Sequence, residues 1–339
     1  MDVYAEVEKI VSPVYMVGGS VRDELLGVEP HDFDFATPLL PDEIEACVRA
    51  ASRKPYCVGK RFGTIGFGIP QGSRKALPVE VTTFRAESYK DGCRKPSVQF
   101  VSSITHDLAR RDFTVNAMAR RGRRLIDPEH GRDDLAAGVL RAVGIPSHRF
   151  REDPSRMLRL ARFAAQFGFT VEDRTFVKAR ELSYKVLTVP REHWMGELDK
   201  LLVAPYVEKG LELLADTRLL QFILPEISVQ VGYDQRTPYH DHELWEHTRA
   251  VVAATPAEPT IRWAALLHDI GKPYVRRVKT PEQSTYVRHD LLGYEMVRKL
   301  AAYLKWSNDR TDTVSALVRD HLSEDSPLRE ADSGAQKTL

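Results

Sequence analysis

Apolar and polar positions alternate with a period of two over four short stretches: YMVGG (15–19), HDFDFAT (31–37), FGTIGFGI (62–69) and LPVEVTTF (77–84). Each is rich in β-branched or aromatic residues and bounded by Gly, Pro or polar clusters, which predicts strands. Between them, PDEIEACVRAA (41–51) carries Pro at its first turn and acids near its N-terminal end, predicting a helix. From Asp153 the period changes. SRMLRLARFAAQF places Met157, Leu158, Ala161 and Ala165 at three- and four-residue spacings, and YVEKGLELLADTRLLQFI, HELWEHTRAVVAA, TIRWAALLHDIG, GYEMVRKLAAYL and DTVSALVRDHL continue in the same way. The expected fold class is therefore α+β: a small mixed sheet backed by helices over 1–145, then a mainly α-helical remainder. Turn-rich joints near 144–146 and 231–238 divide that remainder into 146–230 and 231–325. The polar stretch 326–339 is expected to be a flexible tail.

The length of 339 residues suits two or three such domains. A net charge of +1 gives no global field, so any RNA contact must come from local clusters. With 42% hydrophobic and 29% charged residues the chain reads as soluble and globular, excluding collagen-like, coiled-coil and wholly disordered classes. No apolar run approaches the ~20 residues that cross a bilayer, and MDVYAEVEKIVS has acids where a signal peptide carries positive charge. Three scattered cysteines without CxxC spacing suit a reducing cytoplasm.

The first chemistry lies in VGGSVRDELLG (17–27), a Gly-Gly-Ser turn between an apolar strand and a short helix. Two glycines let backbone N–H groups approach a phosphate; an ordinary strand-to-helix turn has the same pattern. Next comes Asp32-Phe33-Asp34. Residues i and i+2 of a strand share a face, so both carboxylates project together. Such a pair is unfavourable unless neutralised, and Mg²⁺ ions, which take carboxylate oxygens and substrate phosphates, are the natural neutraliser. Two ions so held activate an attacking hydroxyl and stabilise a leaving pyrophosphate. Glu80, between valines in a later strand, fits either a third acid of this site or an ion-pair partner for an arginine.

The ordered succession GGSVRD, DFDFAT, GKRFGTIGF, VEVTTFR, DGCRKP, RRDFTVNAMA, LIDP and EDPSRMLRLARFAAQFGF covers about residues 14–170. It resembles the class II tRNA nucleotidyltransferase (CCA-adding) and bacterial poly(A) polymerase family. The resemblance implies a DNA-polymerase-beta-like nucleotidyltransferase head, with Asp32, Asp34 and Glu80 catalytic and two Mg²⁺ ions on Asp32 and Asp34. Gly18, Gly19 and Ser20 would contact the triphosphate, Arg22 and Asp23 supporting that turn. In RRDFTVNA, Asp112 would accept from a ribose hydroxyl, with Arg111 and Asn116 supporting it. The stretch RRDFTVNAMARRGRR (110–124) carries six arginines and one aspartate, a local net of +5, which suits triphosphate or RNA phosphates and equally a solvated face.

Base choice falls, on the same resemblance, to Asp153 and Arg156 of EDPSR, with Arg159 a triphosphate contact. Cytosine and adenine both present an exocyclic amine beside an unprotonated ring nitrogen, whereas uracil and guanine present a carbonyl beside N–H. A carboxylate acceptor beside a guanidinium donor matches the first two edges and mismatches the others. A helix cap with an i,i+3 ion pair reads the same way in sequence. The implied reaction is template-independent addition of C, C and A to the 3′ end of tRNA from CTP and ATP, with neither DNA nor membrane as a partner. The segment 88–96 sits where the family has a loop needed for A addition, and its length favours complete CCA addition. Narrower alternatives are A-only or CC-only addition, or poly(A) polymerase.

In LLHDIGKP, His268 and Asp269 are adjacent, with His247 upstream and His289 downstream. This resembles the HD-domain metal-dependent phosphohydrolases and implies a divalent transition metal on His247, His268 and Asp269. Either Asp320 or His321 could be the last ligand, and both a phosphohydrolase acting on RNA ends or nucleotides and a purely structural helical unit remain open.

Overall fold

The computed structural model describes residues 2–30, 32–71, 74–88, 97–236, 243–281 and 283–332. The chain divides into two compact units, Met1–Glu152 and Asp153–Leu339. The first opens with α1 (Val3–Ile10), β1 (Tyr15–Val17), α2 (Gly19–Leu25), β2 (Phe33–Thr37) and α3 (Pro41–Ala50). It continues through β3 (Thr64–Gln71), β4 (Arg74–Thr83), β5 (Arg85–Ser88), β6 (Ser97–Phe100) and α4 (Ile104–Ala109). Strands β7 (Ala119–Arg121) and β8 (Arg124–Ile126) precede α5 (Gly131–Ala137) and α6 (Pro146–Glu152).

Six strands form one mixed sheet in the order β3-β4-β2-β1-β7-β8, parallel between β2 and β4 and antiparallel elsewhere. The parallel pair requires a crossover, which α3 and β3 supply in sequence. Side-chain alternation gives the sheet two unlike faces. Phe35, Ile65, Phe67, Val79 and Val81 are buried on one, packed against α1 and α3. Asp34, Gly66 and Glu80, one residue out of phase, occupy the other. The arginine-rich stretch after Asn116 forms the β7–β8 hairpin, turning at Gly122 with φ of +55°.

The second unit is helical apart from short strands. Its helices are α7 (Ser155–Phe167), α8 (Asp173–Leu182), α9 (Arg191–Leu202), α10 (Val207–Asp216), α11 (Leu220–Ile223), α12 (Pro225–Ser228), α13 (Leu244–Ala254), α14 (Pro259–Leu267), α15 (Lys272–Val275), α16 (His289–Leu304) and α17 (Asn308–Arg319). The helical pattern of 206–223 is interrupted at Arg218, whose left-handed φ of +62° separates α10 from α11. Helix α7 packs on α9 and α10. Gly210 permits the α7–α10 approach, because a Cβ there would lie 2.6 Å from that of Ala165. Residues 326–332, expected as the start of a tail, are packed: Leu328 is fully buried and Ala331 nearly so. No described helix is long and apolar enough to cross a membrane.

Candidate functional site

Strand register gathers the acids of the first unit. Asp34 lies directly opposite Glu80 across the parallel β2–β4 ladder, and Asp32 precedes Asp34 by two. Asp34 and Glu80 therefore issue from the same face of the sheet, and Asp32 immediately precedes β2; farther along that face Ala36 is covered by Leu108 and Val143. Gly66, the antiparallel partner of Glu80, adds no side chain there. A cavity of about 590 Å³ opens beside Glu80, lined also by Tyr56, Phe62, Thr64 and Arg85. Among the described residues Glu80 makes no ion pair with an arginine, so its alternative structural role is not the one observed. Desolvation pushes Asp34 above the usual carboxylate range; Arg111 pulls it back in part and Asp32 adds to the rise. Glu80 is raised by desolvation first, then by Asp34 and Asp32. Acids that raise one another yet still face solvent fit a divalent cation.

Ser20 fixes where β2 begins. Its hydroxyl donates to the Asp32 carbonyl at 2.9 Å and accepts from the Asp34 N–H at 3.1 Å. The turn before it needs glycine: Gly18 has φ of +69°, and a Cβ there would lie 2.5 Å from Arg111 Nη1. Arg111 in turn donates to Asp107 at 3.2 Å. Burial alone would raise Asp107, but Arg111 and Arg110 override it and hold the carboxyl below its ordinary range.

A second buried chain ties the turn to the RRDF segment. Arg22 Nη1 donates to Asn116 Oδ1 at 2.6 Å while its Nε donates to Asp23 at 2.8 Å. Asn116 Nδ2 donates to Asp112 Oδ1 at 3.1 Å, and the Phe113 N–H donates to the same oxygen at 2.8 Å. Gly18, Gly19, Ser20, Arg22, Arg111, Asp112 and Asn116 are thus brought together with the acids in one unit. Asp107 was not singled out by sequence, although its i,i+3 and i,i+4 spacing to Arg110 and Arg111 is a legible signal.

Asp153, Arg156 and Arg159 belong to the second unit. Asp153 Oδ1 accepts from the N–H and hydroxyl of Ser155 at 3.1 and 2.7 Å, shaping the entry to α7. Arg156 is buried, 7% exposed, in the first turn of that helix. Arg159 is half-buried with its guanidinium 5.5 Å from the Phe163 ring centre. Arg162 is held by Glu197 at 2.5 Å and stacks on Phe163. Of the loop at 88–96, residues 89–96 lie outside the described residues.

The histidines of the second unit converge. His247 from α13, His268 and Asp269 at the end of α14, His289 at the start of α16 and His321 beyond α17 are all buried. His321, rather than Asp320, faces inward. Helix α17 ends at Arg319, and Asp320 turns outward to pair with Arg319 at 2.8 Å. Asp332, which the sequence reading placed in the tail, reaches His247 Nε2 at 3.0 Å. Among the described residues two groups have ligand atoms mutually within 4.8 Å: His247, His268 and Asp332, and Asp269, His289 and His321. Asp269 is held well below its ordinary range, Lys272 and the histidines overcoming its burial. The buried Asp269 Oδ2 lies 2.6 Å from Lys272 Nζ and 3.0 Å from His268 Nε2, and imidazole nitrogens beside a carboxylate are a donor set that fits a divalent metal.

Three family models match in order: "Poly A polymerase head domain" over 14–141, "Probable RNA and SrmB- binding site of polymerase A" over 168–230, and "HD domain" over 243–336. A CCA-adding enzyme of Streptococcus pneumoniae is 37% identical over 294 residues, 86% of this chain and 70% of that protein. The chain belongs to the CCA-adding enzyme family. Another CCA-adding enzyme, from Streptococcus agalactiae, is 38% identical over 66% of this chain, which spans 54% of that relative's length. The Bacillus stearothermophilus CCA-adding enzyme solved with CTP superimposes with a TM-score of 0.64 at 29% identity, over 95% of this chain and 74% of that one. In this chain the head match contains the carboxylate face, and the HD match contains the complete histidine cluster.

Proposed function

We propose that this chain extends tRNA 3′ ends without a template, adding C, C and A from CTP and ATP. The observation that carries the reading is the Asp34–Glu80 register, which sets three carboxylates beside the Gly18–Gly19 turn and Arg111. Gly19 and Ser20 present backbone N–H groups to the triphosphate, Gly18, whose own N–H donates to the Met118 carbonyl, supplies the turn that lets it approach, and Arg22, braced by Asp23 and Asn116, stiffens that turn. Asp32 and Asp34 would hold two Mg²⁺ ions, Glu80 sharing that face; bound there, the metal activates the hydroxyl and neutralises the leaving group. The 3′-oxygen bonds to the α-phosphorus as the bond to pyrophosphate breaks in line, and Arg111 offsets the charge of that group.

Asp112, oriented by Asn116 and Phe113, accepts from a ribose hydroxyl and selects ribonucleotides. Asp153 and Arg156 accept and donate to the edges that C and A share. A wrong base leaves one of them unpaired, costing on the order of 1–3 kcal/mol or more. Arg159 contacts triphosphate, and residues 168–230 supply RNA contacts in a cytoplasmic enzyme.

The decisive assay offers tRNA lacking its last one, two or three nucleotides with each NTP singly. Expected are C at the first two positions, A at the third, and refusal of U and G. Long A tails, or addition of only C or only A, would reassign the chain to a poly(A) polymerase or a specialist. Incorporation that survives Asp34→Ala but is lost in Asp269→Ala would shift the activity to the second centre.

A further inference from the structure

We infer that the cavity at the β3–β4 edge of the acid face is the acceptor subsite, where the terminal nucleoside of the growing RNA strand stacks on Tyr56 and Phe62. The inference rests on the transferase reading and says where its second substrate sits. In the order β3-β4-β2-β1, the acids of β2 and β4 lie between two features. On one side the Gly18–Gly19 turn follows β1, with Arg111 close against it. On the other is the cavity of about 590 Å³, whose lining includes Thr64 and Gly66 of β3 and Glu80 of β4. An in-line displacement brings the attacking oxygen to the phosphorus from the side opposite the leaving group. With pyrophosphate drawn to the turn, the 3′-hydroxyl arrives from the cavity side, and its own base trails it by the width of one ribose.

The cavity wall suits a base, and no particular base. Gly66 and Glu80 are antiparallel partners and share a face of the sheet. A Cβ on Gly66 would lie 3.6 Å from Tyr56 Cβ and 3.7 Å from its Cδ2, so the missing side chain lets Tyr56 cross that face beside Glu80. Backbone hydrogen bonds in both directions between Tyr56 and Gly66, at 2.6 and 3.0 Å, hold it there. Phe62 is fixed through its carbonyl, which accepts from Arg85 at 2.6 Å. The exposed Arg61 guanidinium lies 4.5 Å from the Phe62 ring centre and brings a cation to the rim, suited to a phosphate of the strand. Among the described residues of the first unit, the exposed Phe, Tyr and Trp side chains are Tyr56, Phe62 and Phe100, and Phe100 packs next to Phe62 at Gly63. Exposed apolar rings gathered on one rim mark a binding site. The acceptor end changes its base as C, C and A are added, so a site that read base edges would fail at one step or another. Stacking tolerates every base, because each has a π-face.

The test compares the chain with a Tyr56→Leu/Phe62→Leu variant on tRNA lacking its last nucleotide, the new terminal nucleotide being either intact or abasic, with ATP as donor. Stacking worth about 1–3 kcal/mol corresponds to about 5- to 150-fold, at ~1.4 kcal/mol per tenfold. In the parent, removing the base should raise KM for tRNA about 5-fold or more and leave KM for ATP unchanged. In the variant, KM for intact tRNA should already be raised, and removing the base should add nothing. Lost stability alone would not produce that coupling. Phe62→Leu by itself should shrink the penalty, and Tyr56→Phe, which keeps the ring, should retain it. A penalty equal in the parent and in the leucine variants, or absent from the parent, would overturn the inference and leave the transferase reading standing. A parent that adds nothing to any truncated tRNA would overturn that reading itself, and this inference with it.

Discussion

One hydroxyl, that of Ser20, pins both the carbonyl of Asp32 and the amide of Asp34. Ser20→Ala removes two partly buried hydrogen bonds and should cost about 1–2 kcal/mol, read as a lower melting temperature. Nucleotide incorporation should fall further than stability alone explains, because the acids lose their positions. Asp34→Asn should be harsher for catalysis: a metal's charge stabilisation is worth several kcal/mol, and about 1.4 kcal/mol is tenfold in rate, so a loss of about 10³-fold or more is expected. The same residue should leave a signature in pH. Asp34 and Glu80 are raised on folding, so the folded chain holds protons that the unfolded chain has released. Their contribution is most favourable below the ordinary carboxylate pKa and is lost as pH rises through the raised values. In chelator, Asp34→Asn should therefore gain melting temperature relative to the parent as pH rises from about 4 toward neutrality. With Mg²⁺ present that advantage should disappear; an unchanged difference would contradict a cation site.

Among elements, the legible and illegible parts separate by range. The Asp32–Asp34 relation is local, spanning the first residue of β2, so a period of two was enough to expect both on one face. The partnership of Asp34 with Glu80 depends on register between strands 46 residues apart, with a helix and another strand in between. A one-residue slip would have turned Glu80 into the core. The end of α17 poses the same difficulty at shorter range. Asp320 and His321 are adjacent, and only the point at which the helix stops decides which one turns inward. Asp320→Asn should leave metal content unchanged and shift stability by no more than about 0.5 kcal/mol, whereas His321→Gln should weaken metal binding. Helix crossing was equally hidden: Gly210 reads as a weak position in a helix, yet it lets α10 approach α7. Gly210→Ala should cost about 1–3 kcal/mol by overpacking against Ala165, measured by denaturant unfolding.

Across the whole molecule, the two centres use different donors and should be separable. Asp34→Ala should abolish incorporation while preserving transition-metal content, and Asp269→Asn should do the reverse. Local order along the chain was enough to foresee an α+β head, helices beyond it, the Gly-Gly-Ser turn and the family, because periodicity and motif order are properties of neighbouring residues. Tertiary structure alone decided that Glu80 joins the Asp pair and that Asp332 closes a cluster begun at His247. Those relations join residues distant along the chain, and only packing and register determine which of them meet.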